Sequence, residues 1–356
     1  MLSGVPRSRG YDGERKMSKS MIAVIACVAL VVFTISGSLI VHAVPVPGLN
    51  LDSLSKDSTL IVTGEVTSIR DAGLATVSHG DLQLEAEMYT GSIRPDQILK
   101  GTVSENRIAF RSYVPNENIG WQRVSQGYGL FFLKNGPSVD MEFTNPYYPF
   151  LPTTPGADVP NGSVIERILF ALRNRLASPT ATVNQKVVTI FFLTCTRSPA
   201  AIAALHEAYA DPLREVQLAA AGALLERNDT TGLEVVKEAL LQRPQSISPV
   251  MSHNLAYAVS SGLTDSKAVP VVTQLIASPD PEVRRAAASS LMHMESPDAI
   301  EPLKSLLDDS DFEARYDAVV GLAQIAKQAD WHPGMEQFRA NERKYLEHWR
   351  NWAPTH

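Results

Sequence analysis

Residues 278–327 read SPDPEVRRAAASSLMHMESPDAIEPLKSLLDDSDFEARYDAVVGLAQIAK. Three helix starts follow one another here. Asp280 before Pro281 offers an N-cap oxygen and a proline at the first helical position, where the missing N–H costs nothing. Ser296-Pro297 repeats the device. Ser310 and Glu313 have the spacing of a capping box. Between these signals Val283, Ala286, Ala287 and Leu291, then Ile300, Leu303, Leu306 and Leu307, recur at three- and four-residue spacing. Each segment predicts a short amphipathic helix. Such helices bury their apolar faces only against neighbours of the same shape, which implies a repeat.

A period of about thirty residues extends upstream. The first helix of each unit carries a landmark leucine at Leu193, Leu224, Leu263, Leu291 and Leu322. The second carries an apolar pair at Ile202/Leu205, Leu233/Val236, Val269/Val272 and Ile300/Leu303. The wide gap between Leu224 and Leu263 holds the proline-punctuated stretch Gln242 to Pro249. Glu282-Val283-Arg284-Arg285-Ala286-Ala287-Ala288, Glu215-Val216-Gln217-Leu218-Ala219-Ala220-Ala221 and Glu313-Ala314-Arg315-Tyr316-Asp317-Ala318 stand at equivalent places. On these residues the stretch 164–327 resembles HEAT repeats, of the short kind also found in phycobilisome-lyase-related proteins. The resemblance implies a right-handed α-α superhelix over 163–328. It names no ligand, because fold does not imply function.

The 356 residues are 44% hydrophobic, enough for two folded domains. Net charge is −6. Residues 1–20 hold five basic and two acidic groups, so the rest of the chain sets 27 basic against 36 acidic residues. An acidic body without a Lys/Arg stripe argues against nucleic-acid binding, which requires phosphate neutralisation. The two cysteines, Cys27 and Cys195, allow neither a disulfide framework nor a cysteine zinc cluster.

Residues 1–20 form a basic leader with Arg7, Arg9, Arg15, Lys16 and Lys19, and Met17 is an alternative start. Residues 21–43 carry no charge. That run suits a membrane-spanning helix of about twenty residues. It also ends in Val41-His42-Ala43, the small-residue pattern of a signal cleavage site. Either reading exports the chain beyond residue 44. The sequence thus predicts a single-pass membrane protein, or a secreted or periplasmic one after cleavage near Ala43. Residues 44–58, with Pro45, Pro47 and Gly48, read as a linker.

Over 59–144 the hydrophobic period changes to two. Leu60–Ile69, Leu82–Thr90, Arg107–Val114, Tyr128–Lys134 and Ser138–Phe143 read as strands, and predict a small antiparallel β barrel or sandwich. Val62-Thr63-Gly64-Glu65-Val66, then Ile98-Leu99-Lys100-Gly101, then Gly127-Tyr128-Gly129-Leu130-Phe131-Phe132-Leu133 resemble small bacterial domains with a netrin- or OB-like barrel. The cysteines of the eukaryotic relatives are missing. The fold class expected is multi-domain α+β: an N-terminal hydrophobic helix, the β domain, then the helical solenoid.

The stretch 145–162 opens with Asn145-Pro146-Tyr147-Tyr148-Pro149-Phe150-Leu151-Pro152. Its aromatics form either an exposed partner-binding patch or a packed junction between the domains; packing is the commoner fate of large apolar side chains. In 329–356, Met335, Phe338, Tyr345, Trp349 and Trp352 share one helix face. That face suits the cap that an open solenoid end needs, or an aromatic docking site.

Catalytic motifs are sparse. His206-Glu207-Ala208-Tyr209-Ala210 begins like a zincin helix, but Ala210 replaces the second histidine. There is no Gly-x-Ser-x-Gly elbow and no phosphate-cradling glycine loop. Cys195 lies in the apolar run Phe191-Phe192-Leu193-Thr194-Cys195, which predicts an inert thiol. Arg284 and Arg315 share one repeat position, where they line a groove or form a ladder with acids such as Asp308 and Asp309. Together these features predict a scaffold without catalysis, metal or cofactor, which binds a protein partner through its solenoid. The binding candidates are Arg284, Arg315, Tyr147, Tyr148 and Trp349. The alternatives are a ligand- or polymer-binding module in the β domain, and a lyase-like or enzyme-accessory protein.

Overall fold

The computed structural model describes residues 48–117, 119–136, 140–242 and 247–353. Asn50 starts helix α1 (Leu51–Asp57) by accepting the Ser53 amide on its side chain at 2.8 Å. The stretch expected as a linker therefore contains a helix, and its Leu51 and Leu54 are buried. Six strands come next: β1 (Leu60–His79), β2 (Leu82–Lys100), β3 (Ile108–Pro115), β4 (Gly127–Asn135), β5 (Met141–Phe143) and β6 (Phe150–Pro152). β1 pairs antiparallel with β2 and β4, β2 with β3, and β4 with β5 and β6. β3 and β5 pair in parallel through Phe110–Met141 and Arg111–Glu142, so the sheet is mixed rather than purely antiparallel. Hydrogen-bonded neighbours run β1-β2-β3-β5-β4 and return to β1.

Period-two alternation sends successive side chains of β1 and β4 to different cores. Leu60, Val62, Val66, Phe131 and Leu133 join Ile93, Ile108, Phe110 and Phe143. Ile61, Leu130 and Phe132 face the opposite way, toward Leu51, Leu54, Ile168, Leu169, Leu172 and Leu193. β4 is covered on both faces, which is why Leu130-Phe131-Phe132-Leu133 holds no polar residue.

Eleven α-helices complete the chain among the described residues: α2 (Val164–Ala177), α3 (Val183–Thr194), α4 (Pro199–Tyr209), α5 (Arg214–Leu225), α6 (Leu233–Leu241), α7 (Pro249–Gly262), α8 (Val269–Gln274), α9 (Pro281–Met294), α10 (Ile300–Leu306), α11 (Phe312–Ala326) and α12 (Met335–Asn351). Helices α3, α5, α7, α9 and α11 pack neighbour on neighbour as a front layer, and the intervening helices line its back. The front helices keep one register. Leu193, Leu224, Val259, Leu291 and Leu322 lie eleven positions beyond their N-caps Thr182, Leu213, Ser248, Asp280 and Asp311, and all are buried. Val259 thus takes the place expected of Leu263, which is buried one turn later. The last front helix starts at Asp311 rather than Ser310. Asp311 accepts the Glu313 and Ala314 amides at 3.0 Å each, while the Ser310 hydroxyl accepts from Arg284 at 3.1 Å.

The β domain and the first repeats share one core, and polar bonds tie the seam. The Leu51 amide donates to the Cys195 carbonyl at 2.8 Å. Arg167 donates to the Leu99 and Ile98 carbonyls at 2.6 Å each. Arg175 donates to the Pro152 carbonyl at 2.6 Å, and Thr153 to the Ala171 carbonyl at 2.7 Å. At the far end α12 bends at Asn341 and buries Phe338, Tyr345 and Trp349 against the last repeat.

Among the described residues no helix is long and apolar enough to cross a membrane. This overturns the expectation of a single-pass membrane protein. The leader 1–20, the apolar run 21–43 and the cleavage pattern at Ala43 lie outside the described residues.

Candidate functional site

Four positions after the N-cap, front helices α3, α9 and α11 carry Lys186, Arg284 and Arg315. Each reaches forward to an acid of the next unit: Lys186 to Asp211 at 2.6 Å, Arg284 to Asp309 at 2.7 Å, Arg315 to Glu342 at 2.6 Å. Arg284 also donates to the Ser278 and Pro279 carbonyls, and Arg315 to the Asp309 and Ser310 carbonyls. Burial alone would lift the Asp309 pKa; the Arg284 bond, the Asp311 amide and the Arg315 charge outweigh it and hold the carboxyl low. The same balance holds Asp211 low beside Lys186. These cations are the rungs of a ladder inside the solenoid, and Arg284 has all three guanidinium nitrogens engaged. Sequence reading missed Lys186 because lysine broke the arginine pattern.

The ladder breaks in the middle. The equivalent residue is Gln217 on α5, which accepts from Arg214 at 2.8 Å, and Ser252 on α7. A groove of about 110 Å³ opens across α3, α5 and α7. Nine positions after the N-caps stand Phe191, Gly222 and Tyr257, so a glycine lies between two aromatic rings of adjacent helices. Ala219 and Ala223 extend the floor, and Val187, Val188, Met251 and Leu255 form the walls. A Cβ on Gly222 would meet the Leu255 side chain at 3.2 Å, so the glycine lets α5 lie close against α7.

Among the described residues, Glu226 is the only formally charged one of the lining. It lies one turn beyond Gly222, where α5 ends. Its carboxylate accepts no hydrogen bond and joins no ion pair among the described residues. The neighbouring Arg227 is turned away, donating to the Leu193 and Thr196 carbonyls at 3.0 and 2.7 Å. The Glu226 side chain is exposed by area, yet the apolar wall crowds its carboxyl. That desolvation pushes its pKa up to about 7, against the opposing charge of Arg227. Cys195, at the end of α3, donates to the Phe191 carbonyl at 3.3 Å, and burial pushes its thiol up to about 12. It is no thiolate nucleophile at neutral pH.

The five residues singled out by sequence do not converge. Arg284 and Arg315 are ladder rungs. Trp349 is fully buried in the cap and presents no surface. Tyr148 packs into the junction core, while Tyr147 turns the other way, edge-on to His79 and Trp121 with ring centroids 6.4 Å apart in both cases. The groove has a sequence signal, the small-residue run Ala219-Ala220-Ala221-Gly222-Ala223. It becomes legible only once the helices are aligned on their N-caps.

The family model described as HEAT repeats matches residues 249–323, which run from the start of α7 into α11. No curated protein matches the chain.

Proposed function

We propose that the chain is a non-catalytic scaffold of HEAT-like repeats that binds another protein through its front layer. One observation carries the reading: three successive front helices, two of which carry no ladder cation, leave an open apolar groove. Stacked repeats present extended surfaces of this kind to partners. The match to HEAT repeats is compatible with such a role. Under the same reading the solenoid is a right-handed superhelix and the β domain an OB-like barrel. The return of strand neighbours to β1 supports the barrel.

The test is photo-cross-linking in cells of the source organism, with a photoreactive residue at exposed Asn254 in the groove or at exposed Glu238 on the back of α6. The expected result is one protein adduct from position 254 and none from position 238. Absence of any adduct from either layer would overturn the scaffold reading.

A second reading, a ligand-binding module in the β domain, is favoured by the ring cluster of His79, Trp121 and Tyr147. Replacement of Tyr147 by Ala would then abolish ligand binding measured by calorimetry.

A further inference from the structure

We propose that the groove across α3, α5 and α7 takes an extended segment of the partner protein in which a large apolar side chain stands two residues from a lysine or arginine. This rests on the scaffold reading above and names the chemistry that the scaffold recognises.

Size comes first. A volume of about 110 Å³ is somewhat below that of an engineered apolar cavity, about 150 Å³, that stays dry and takes up benzene. The slot over Gly222 therefore suits one leucine, methionine or phenylalanine side chain rather than a larger ligand. Charge comes next. Among the described residues the lining carries a single formal charge, the Glu226 carboxylate, and none of them satisfies it with a bond. An incoming cation supplies that bond, and an incoming carboxylate meets repulsion in a poorly solvated place. Spacing completes the argument. Gly222 and Glu226 lie four residues apart, about 6.0 Å along α5. Alternate side chains of an extended strand, about 6.6 Å apart on one face, match that rise. At the other end of α7, Val250 is exposed by 51%. It stands two turns before Tyr257 on the same face and gives the segment further apolar contact beyond the slot.

The experiment uses the full chain, immobilised at about pH 8, and phage-displayed random short peptides as the probe. Native protein is expected to enrich peptides with a large apolar residue, any residue, then Lys or Arg. Glu226→Lys, at an exposed position, is expected to exchange the basic preference for Asp or Glu. A merely structural role would not produce that exchange. Ala219→Phe fills the groove and is expected to remove the enrichment, with its fold checked by the helical circular dichroism signal. Glu226→Gln is expected to weaken a selected peptide roughly tenfold, the loss of one charge-assisted bond. In the native protein the same peptide is expected to weaken as pH falls from about 8 to 6, because a protonated Glu226 no longer pairs with a cation. Arg227, held by two carbonyls, and Cys195, a neutral thiol, do not titrate in that interval. Peptides that bind native protein, Glu226→Lys and Ala219→Phe alike overturn the groove assignment. They leave the scaffold reading standing, since that reading fails only when cross-linking finds no partner on either layer.

Discussion

Asp317 on α11 is a carboxyl that the fold tolerates rather than uses. Burial first, then the charges of Glu313 and Asp311, push its pKa up to about 7 against the pull of Arg285. An unfolded aspartate titrates near 3.9. The folded chain therefore holds this proton more tightly, and stability falls as pH rises between about 4 and 7. Asp317→Asn is expected to remove that slope and to stabilise the chain at about pH 8 by roughly 2 kcal/mol, discounted for partial exposure, in urea titrations. Asp309 has the opposite sign. Its depressed pKa contributes stability above about pH 4, which is lost as pH falls through the lower folded value. Arg284→Ala leaves this nearly buried carboxylate without its guanidinium and is expected to cost about 3 kcal/mol at neutral pH. The deficit should shrink in acid. The sequence put Arg284 and Arg315 at one repeat position and offered a ladder as one of their two roles. It was silent on Glu226, because an isolated glutamate at a helix end has no signature until the apolar wall beside it is known.

Among the elements, helix starts were the most legible, since capping depends on neighbours in sequence. Asp280-Pro281 and Ser296-Pro297 begin their helical segments as expected. The choice between Ser310 and Asp311 was not local: two adjacent oxygens could both cap, and Arg284 from the preceding unit takes one of them. Val259 and Leu263 were confused because they lie one turn apart and are both buried. The pairing of β3 with β5 rests on a three-residue strand, too short to carry a period. A further consequence at this scale is the crossing of α5 and α7. A Cβ on Gly262 would lie 2.0 Å from the Leu225 carbonyl oxygen and 2.5 Å from the Glu226 Cα. Both are backbone atoms, so the helices must part. Gly262→Ala is expected to lower stability by about 2 kcal/mol. It should also weaken peptide binding at the groove, since Glu226 moves with its backbone.

For the molecule as a whole, the sheet and the first helices of the solenoid share one buried core and are expected to unfold together. Leu172 on α2 is fully buried in the core that holds Leu51, Leu130 and Phe132. Leu172→Ala is expected to cost about 3 kcal/mol. Its midpoint should shift equally in the hydrogen-exchange protection of the β1 and β4 amides, which reports the β domain, and in helical circular dichroism. A shift confined to the helical signal would show that the seam does not couple them. The stretches 44–58 and 145–162 looked like linkers because proline, glycine and serine mark chain without a period. Their docking residues, Leu51, Leu54, Tyr148 and Leu151, are apolar singles whose partners lie far away in sequence.

β4 serves as a party wall between those two cores. Phe131 and Leu133 furnish one room, Leu130 and Phe132 the other. A slip of one residue in its pairing with β1 would exchange the furniture of both rooms at once. The sheet cannot settle into its register independently of the solenoid, nor can the first repeats find their seat while that register is open. An insertion of one glycine after Gly129 should therefore disorder α2 and α3, although neither helix has been altered.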